Sequence, residues 1–124
     1  MISDLLKGVL TASVTPVNEK GEMDLAAMGR LMAYYEENGI RGVLLPSSTG
    51  ESFALTTQQR VELVNAAAKA SKGKLSILGN CSEHNIKDAI RDAKLMADAG
   101  ADIIVCALAV AMGIVSKRTG KKCL

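Results

Sequence analysis

Aromatic residues are almost missing from this chain, which has two tyrosines, one phenylalanine and no tryptophan among 124 residues. Aliphatic and sulfur-containing side chains must therefore fill any interior, so we expect a core of Ala, Leu, Ile, Val and Met. The only cysteines are Cys81, Cys106 and Cys123, an odd number without metal-ligand spacing. This pattern fits neither a disulfide framework nor a zinc site, and it predicts reduced thiols in a cytoplasmic protein without a bound metal.

Long hydrophobic runs are also missing. The first four residues, Met-Ile-Ser-Asp, are not a basic region followed by an apolar run, so we expect no secretory signal. The longest apolar run, residues 103–115, is shorter than the roughly 20 residues that span a bilayer. The ending Cys123-Leu124 does not match a prenylation box, whose cysteine stands fourth from the end. Anchoring through residues 103–115 is thus disfavoured, and we predict no membrane attachment.

The charges divide the chain into two parts. Residues 1–106 hold all 13 acidic residues and 11 of the 15 basic ones, whereas residues 107–124 hold four basic residues and no acid. We therefore interpret residues 1–106 as one folded portion and residues 107–124 as a divergent, apolar-then-basic tail. So short a basic run, without neighbouring aromatics, predicts a solvated tail and no nucleic-acid binding. The single histidine, His84, has no ligand or triad partner at a useful spacing and is predicted to lie on the surface.

Apolar periodicity predicts strands that alternate with helices. Strands are expected near residues 8–14, 41–45, 75–79 and 101–105. Helix starts are indicated by Asp24 and by a Thr56–Gln59 capping box, and a third helix is expected to follow residues 80–83. Glycines placed to end the helices recur at positions 39, 73 and 100. This repeat of about 30 residues predicts βαβ units and a parallel sheet. Two folds fit it: a small doubly wound sheet, or the first three and a half units of an eight-unit barrel.

The helices are expected to bury one apolar face each. In the second helix that face is predicted to hold Val61, Val64 and Ala68. In the third helix it is predicted to hold Ile86, Ala89, Ile90, Ala93 and Ala97.

The segment that follows the second strand carries the strongest indication of a binding site. Residues 43–45 form a short apolar run that ends at Pro46, and Ser47-Ser48-Thr49-Gly50-Glu51 comes next. A strand ending in small hydroxyl residues before a helix presents N–H and O–H donors at the carboxyl edge of a sheet. Such donors suit a carboxylate or a phosphate. The same composition is also ordinary for a turn, and the spacing alone leaves both interpretations open.

A family resemblance favours the binding site. The chain resembles the dihydrodipicolinate synthase and N-acetylneuraminate lyase family of pyruvate-dependent aldolases, in order and without obvious gaps over residues 7–106. The motifs that carry it are GVLTASVTP at 8–16, Asp24, GIRGV at 39–43, SSTGESFALT at 47–56, DAI at 88–90 and AGAD at 99–102. The resemblance implies an (α/β)8 TIM barrel, often tetrameric, in which a lysine forms a Schiff base with pyruvate and no further cofactor is needed.

The resemblance also implies roles for particular residues. Ser48 and Thr49 match the two hydroxyl residues that hold the pyruvate carboxylate through O–H and N–H groups, and Ser48 matches the one that relays protons. Gly50 stands where the family has a tight turn. Ser47 replaces a usual glycine. Asn80 and Ser82 follow the third strand near the same edge and are read either as site residues or, preferably, as helix-capping residues.

The pattern of the family stops after residue 106, where a Pro-Pro-Tyr-Tyr segment is expected and Ala-Leu-Ala-Val-Ala-Met follows instead. No lysine lies inside a predicted strand, so the Schiff-base lysine is expected to be absent, and a desolvated amine is required for that chemistry. We hypothesise a truncated family member that is inactive alone and self-associates as an incomplete barrel. The expected parent activity is 4-hydroxy-tetrahydrodipicolinate synthase. The alternatives are N-acetylneuraminate lyase or a related 2-keto-acid aldolase, and a non-catalytic half-barrel that serves as a binding or regulatory module.

Overall fold

A computed structural model describes residues 1–83 and 85–107 of the chain. Predictions about His84 and about residues 108–124 lie outside these ranges. The described elements are, in order, α1 (Ile2–Leu5), β1 (Val9–Ala12), α2 (Leu25–Glu37), β2 (Ile40–Leu45), a 3-10 turn (Ser52–Ala54), α3 (Thr57–Ser71), β3 (Ser76–Asn80), α4 (Ile86–Asp98) and β4 (Ile103–Val105). Among them, no helix combines the length and the apolar character that would let it cross a bilayer.

The four strands form one parallel sheet in the order β1-β2-β3-β4. Thr11 pairs with Val43, and Leu78 with Ile103, so each strand lies beside its sequence neighbour. The predicted alternation of strands and helices is confirmed. A doubly wound sheet reverses its strand order at a switch point. The described strands show no such reversal and follow the sequential order of a TIM barrel.

Local sequence signals set most element boundaries. The Asp24 carboxylate accepts a hydrogen bond from Ala27 N at 2.8 Å, which confirms the predicted start of α2. The capping box of α3 is also confirmed: Thr56 Oγ1 accepts from Gln59 N, and Gln59 Oε1 accepts from Thr56 N. All three helix-ending glycines, at positions 39, 73 and 100, have positive φ angles, which L side chains rarely adopt.

The short helix α1 was not expected from the sequence, and one cap was assigned to the wrong residues. Asn85 Oδ1 accepts from Asp88 N at 2.9 Å, so Asn85 is the N-cap of α4. The helix-capping role preferred for Asn80 and Ser82 is therefore wrong.

The hydrophobic core lies between the sheet and the helices α2, α3 and α4. It is aliphatic and sulfur-rich, as the shortage of aromatics predicts, and its largest members include Met28, Met32, Leu45, Leu63, Leu75, Ile77 and Met96. Burying one such side chain stabilises the fold by about 1.5–3 kcal/mol. These residues hold β2 and β3 in place beneath the polar loops at their carboxyl ends.

The predicted inner face of α3 is confirmed: Val64 is buried, and Val61 and Ala68 are partly buried and pack against the core. Leu63 and Ala67, which were not predicted, are buried as well.

The predicted inner face of α4 needs correction. In α4 the buried residues are Asp92 and Met96, while Ile86 and Ile90 are 75% and 53% exposed. The buried charge explains the rotation. Asp92 lies between Arg60 of α3, at 3.4 Å, and Arg91, at 2.8 Å, and Arg60 also pairs with Glu83. Turning the isoleucine stripe inward would pull Asp92 away from these partners.

Candidate functional site

The hydroxyl loop, residues 47–52, leaves the carboxyl end of β2 through a buried serine. Ser47 is 3% exposed, and its Oγ donates to Ser13 O at 2.8 Å and accepts from Gly50 N at 3.0 Å. Its carbonyl oxygen also accepts from Gly50 N and from Ser52 N, both at 3.1 Å. With its hydroxyl engaged on both sides, Ser47 anchors the loop to the exit of β1.

Gly50 is required for a close approach of two backbones and not for a left-handed turn. A Cβ atom at this position would lie 2.7 Å from Ser13 O and 2.9 Å from Thr15 Oγ1. The left-handed residue of the loop is the next one, Glu51, whose φ is 54°. Gly50 nevertheless lies in the tight turn that the family pattern predicts, because Gly50 N donates to Ser47 O and Glu51 N donates to Ser48 O. The contact is completed by Thr15 Oγ1, which donates to Gly50 O at 2.7 Å.

Ser48 and Thr49 are exposed at the crest of the loop. Ser48 O accepts from Glu51 N at 3.0 Å. Within residues 1–83 and 85–107, the hydroxyls and N–H groups of Ser48 and Thr49 make no hydrogen bond. The loop thus presents two N–H and two O–H donors to solvent at the carboxyl edge of the sheet. Neutral donors in such a cluster can bind a carboxylate through charge-assisted hydrogen bonds.

A cleft of about 390 Å³ lies beside the loop, at the carboxyl ends of β1 and β2. Thr49, Gly50, Glu51 and Thr15 line its polar side, and apolar walls come from Val14, Val17, Met23, Ala54 and Leu55. Ser48 is not among the lining residues, so the cleft brings Thr49 and Gly50 together without it. Thr15 was not predicted as a site residue. Its hydroxyl group and its position just after β1, at the same edge as the loop, are the sequence features that could have indicated it.

Asn80 and Ser82 brace this edge of the sheet. Asn80 Nδ2 donates to Pro46 O at 3.0 Å, and Asn80 Oδ1 accepts from Ser82 N and Ser82 Oγ. Ser82 Oγ in turn accepts from Ala107 N at 2.8 Å. The chain of bonds links the exits of β2, β3 and β4, so Asn80 positions the start of the hydroxyl loop through Pro46.

The described residues offer no evident amine for Schiff-base chemistry. None of their lysines lies in a strand. Lys7 and Lys74 line a separate cavity of about 280 Å³ at the amino edge of the sheet, with Asp4, Arg41 and Asp102. A hydrogen bond to Glu36 raises the pKa of Lys74, which is the opposite of what a nucleophilic amine needs. Nor do the described residues bring together three or more His, Cys, Asp or Glu side chains that could hold a metal ion.

Sequential parallel strands, intervening helices and a donor-rich loop at the carboxyl edge define a protein of the βα-barrel class. The profile of the Dihydrodipicolinate synthetase family matches residues 5–111. The chain belongs to this family.

Individual relatives agree with the assignment. The 4-hydroxy-tetrahydrodipicolinate synthase of Pseudomonas putida is 27% identical over 106 residues, which are 86% of this chain and 36% of that protein. The Bacillus subtilis enzyme of the same name is 30% identical over 97 residues, 78% of this chain and 33% of that protein. The crystal structure of dihydrodipicolinate synthase from Aquifex aeolicus superposes with a TM-score of 0.76 at 27% identity, covering 80% of this chain and 33% of the other. The chain thus spans about a third of the length of these relatives.

Proposed function

We propose that this chain supplies the carboxylate-binding part of a site for a 2-keto acid such as pyruvate. The observation that carries the proposal is the set of free donors on Ser48 and Thr49, held at the sheet edge by Ser47 and Gly50. The proposed parent activity is that of 4-hydroxy-tetrahydrodipicolinate synthase, the condensation of pyruvate with aspartate semialdehyde through a lysine Schiff base. The names of the Pseudomonas and Bacillus relatives support this choice.

The proposed chemistry follows from the loop. The N–H and O–H groups of Ser48 and Thr49 bind the carboxylate, and Gly50 lets the loop lie close enough to β1 to keep those donors in place. The Ser48 hydroxyl, which has no partner in the described part of the chain, relays protons to and from the bound 2-keto acid. The Schiff base requires an amine from outside the described residues. We therefore propose that these residues bind substrate and do not turn it over by themselves.

Titration of the full chain with pyruvate, followed by amide chemical shifts, tests the binding role. We expect the largest shifts at Ser48, Thr49 and Gly50. In the S48A/T49A variant the two hydroxyls are lost while the N–H groups remain. One charge-assisted hydrogen bond contributes about 1.5–3 kcal/mol, so affinity should fall at least about tenfold. Ser3→Ala removes an exposed hydroxyl on α1 and is the matched control. Undiminished binding by S48A/T49A, or shifts centred on Lys7 and Arg41, would contradict the proposal.

Reduction with borohydride in the presence of pyruvate tests the amine separately. A Schiff base becomes a stable adduct on reduction, so its mass reports the lysine that formed it. We expect no adduct on any described lysine, Lys7 and Lys74 included. An adduct at one of them, together with pyruvate-dependent condensation, would show that this chain is a complete catalyst. N-acetylneuraminate lyase or another 2-keto-acid aldolase remains the alternative parent activity, with the same requirement for pyruvate and a different aldehyde.

A second candidate function is a non-catalytic half-barrel that binds a further copy of the chain or an intact relative. Within the described residues, β1 pairs only with β2 and β4 only with β3, so both outer edges of the sheet are unpaired. Ile86 and Ile90 add exposed apolar surface on α4. Open edges and apolar patches favour association. Light scattering on the purified chain should show species larger than a monomer, and a monodisperse monomer would contradict the binding of a further copy. Co-purification with an intact relative tests the other partner. We also propose a cytoplasmic location, which suits the free thiols of Cys81 and Cys106.

A further inference from the structure

Two cysteines stand side by side at the carboxyl edge of the sheet. Asn80 and Val105 pair in register at the ends of β3 and β4. Cys81 directly follows Asn80, and Cys106 directly follows Val105. Cys81 N donates to Val105 O at 2.9 Å, so the two segments remain paired beyond the strand ends. Neighbouring strands lie about 4.8 Å apart, and disulfides join residues whose Cα atoms are about 4.4–6.8 Å apart. The backbone therefore places these two cysteines within disulfide reach.

The surroundings of the two thiols differ. Cys81 is 2% exposed, whereas Cys106 is exposed, and both are free. Burial raises the pKa of Cys81 to about 11, and a hydrogen bond with the Cys106 side chain contributes to the rise. An influence of Cys106 on the Cys81 thiol agrees with the backbone pairing, which makes the two residues neighbours across the sheet. A dissolved oxidant can reach the exposed thiol of Cys106, whereas the buried thiol of Cys81 is shielded from solvent.

We propose that Cys81 and Cys106 form an oxidation site that a peroxide converts to an intrachain disulfide. The Cys106 sulfur attacks one oxygen of the peroxide, the O–O bond breaks, and a sulfenic acid and water (or an alcohol) are formed. The Cys81 sulfur then attacks the sulfenic sulfur, the S–O bond breaks, and a second water leaves with the Cys81 proton. Each cysteine loses one electron, and the peroxide is reduced by two. A cytoplasmic dithiol of this kind is a redox-sensing site, since thiol reductants reverse it.

The site has a structural connection to the hydroxyl loop. Asn80, directly before Cys81, donates to Pro46 O, and Ala107, directly after Cys106, donates to Ser82 Oγ. A disulfide between the two cysteines would hold the carboxyl ends of β3 and β4 together, and Asn80 at the end of β3 contacts the start of the hydroxyl loop through Pro46. The inference does not depend on the proposed function, because its evidence is the pairing of β3 with β4.

Peroxide treatment of the full chain, followed by peptide mapping without reductant, tests the proposal. Dilute protein should lose the thiols of Cys81 and Cys106 together, and the mass should fall by two hydrogen atoms. A cross-linked peptide should contain both residues, and dithiothreitol should restore the thiols. Cys123→Ser removes the third thiol and should leave this result unchanged. Cys106→Ser should protect Cys81, at least tenfold in rate, because the buried thiol then has no accessible partner.

Three results would overturn the proposal. The first is oxidation of Cys106 alone to sulfinic acid, with Cys81 still reduced. The second is a disulfide between two chains through Cys106 at high dilution. The third is an equal yield of the Cys81–Cys106 disulfide in about 8 M urea, a concentration that unfolds most small domains. Formation of the disulfide would then not depend on the folded structure.

Discussion

Replacing Gly50 by alanine should destabilise the chain, and the structure provides the magnitude. The new methyl group would lie 2.7 Å from Ser13 O, 2.9 Å from Thr15 Oγ1 and 3.2 Å from Thr15 N. Two of these three atoms are backbone, so no side-chain rotation relieves the overlap. Overpacking of this kind costs about 1–3 kcal/mol. Displacing the loop also weakens the bond from Thr15 Oγ1 to Gly50 O, which contributes about 1 kcal/mol. We expect a loss of about 2–4 kcal/mol.

Urea unfolding of the full chain, followed by far-ultraviolet circular dichroism, measures this loss. With a slope of about 1–3 kcal/mol per molar urea, the midpoint should fall by about 0.7 M or more. Gly29→Ala is the matched control. Gly29 lies in α2, where the same methyl group would find only Ala70 Cβ at 3.9 Å, an ordinary contact. Alanine is the better helix former by about 0.5–1 kcal/mol, so this variant should be slightly more stable than the parent. An unchanged or raised midpoint for Gly50→Ala would refute the close-approach argument.

Further predictions concern buried charge, pH and helix capping. Asp92→Ala should cost about 1.5–3 kcal/mol in thermal or urea unfolding because it removes a buried carboxylate that pairs with Arg60 and Arg91, while Glu83 still pairs with Arg60. Asp88→Ala, whose carboxylate is partly exposed on the same helix, should cost at most about 1 kcal/mol. Ionisation of Cys81 should not affect the free energy of unfolding below about pH 9.0, the ordinary pKa of the thiol. The free energy of unfolding should then fall as the pH rises towards about 11, by up to about 3 kcal/mol, because the unfolded thiol ionises in that window and the folded one does not. The decline should be shallower in Cys81→Ala. Thr56→Ala should cost about 1 kcal/mol by loss of the capping box, and a midpoint equal to the parent's would contradict its assignment as an N-cap.

Element order and boundaries were largely predictable because the signals are local. A carboxylate cap, a capping box and three glycines at left-handed positions each act within a few residues of the chain. The sequential parallel sheet then follows from the handedness and the length of the connections. The rotation of α4 was not predictable in the same way. It depends on Arg60 from another helix meeting Asp92, and no periodicity within residues 86–98 records that contact.

The position of the site was predictable from the sequence, but the different roles of its hydroxyl residues were not. The hydroxyl-rich sequence placed the loop correctly, yet it gave no reason to separate the buried Ser47 from the exposed Ser48 and Thr49. That separation comes from Ser13, which lies 34 residues away in sequence. The proximity of Cys81 and Cys106 was not predictable from an odd number of cysteines, because it depends on the pairing of β3 with β4. Their separation is about one βα repeat, which places both at the same edge of the sheet.

The sequential strand order also has a consequence for how the chain folds as it is made. Each strand pairs with a partner roughly thirty residues earlier, and none of the described pairings waits for a distant segment. On the ribosome, β1, α2 and β2 can associate before α3 has been synthesised, and each later unit adds to a surface that is already formed. In this respect folding resembles the stepwise addition of units in a repeat protein. It differs from the folding of a β-sandwich, in which strands distant in sequence must pair. Pulse proteolysis of stalled nascent chains should show protection that begins once residue 45 has left the exit tunnel and increases in steps at β3 and β4.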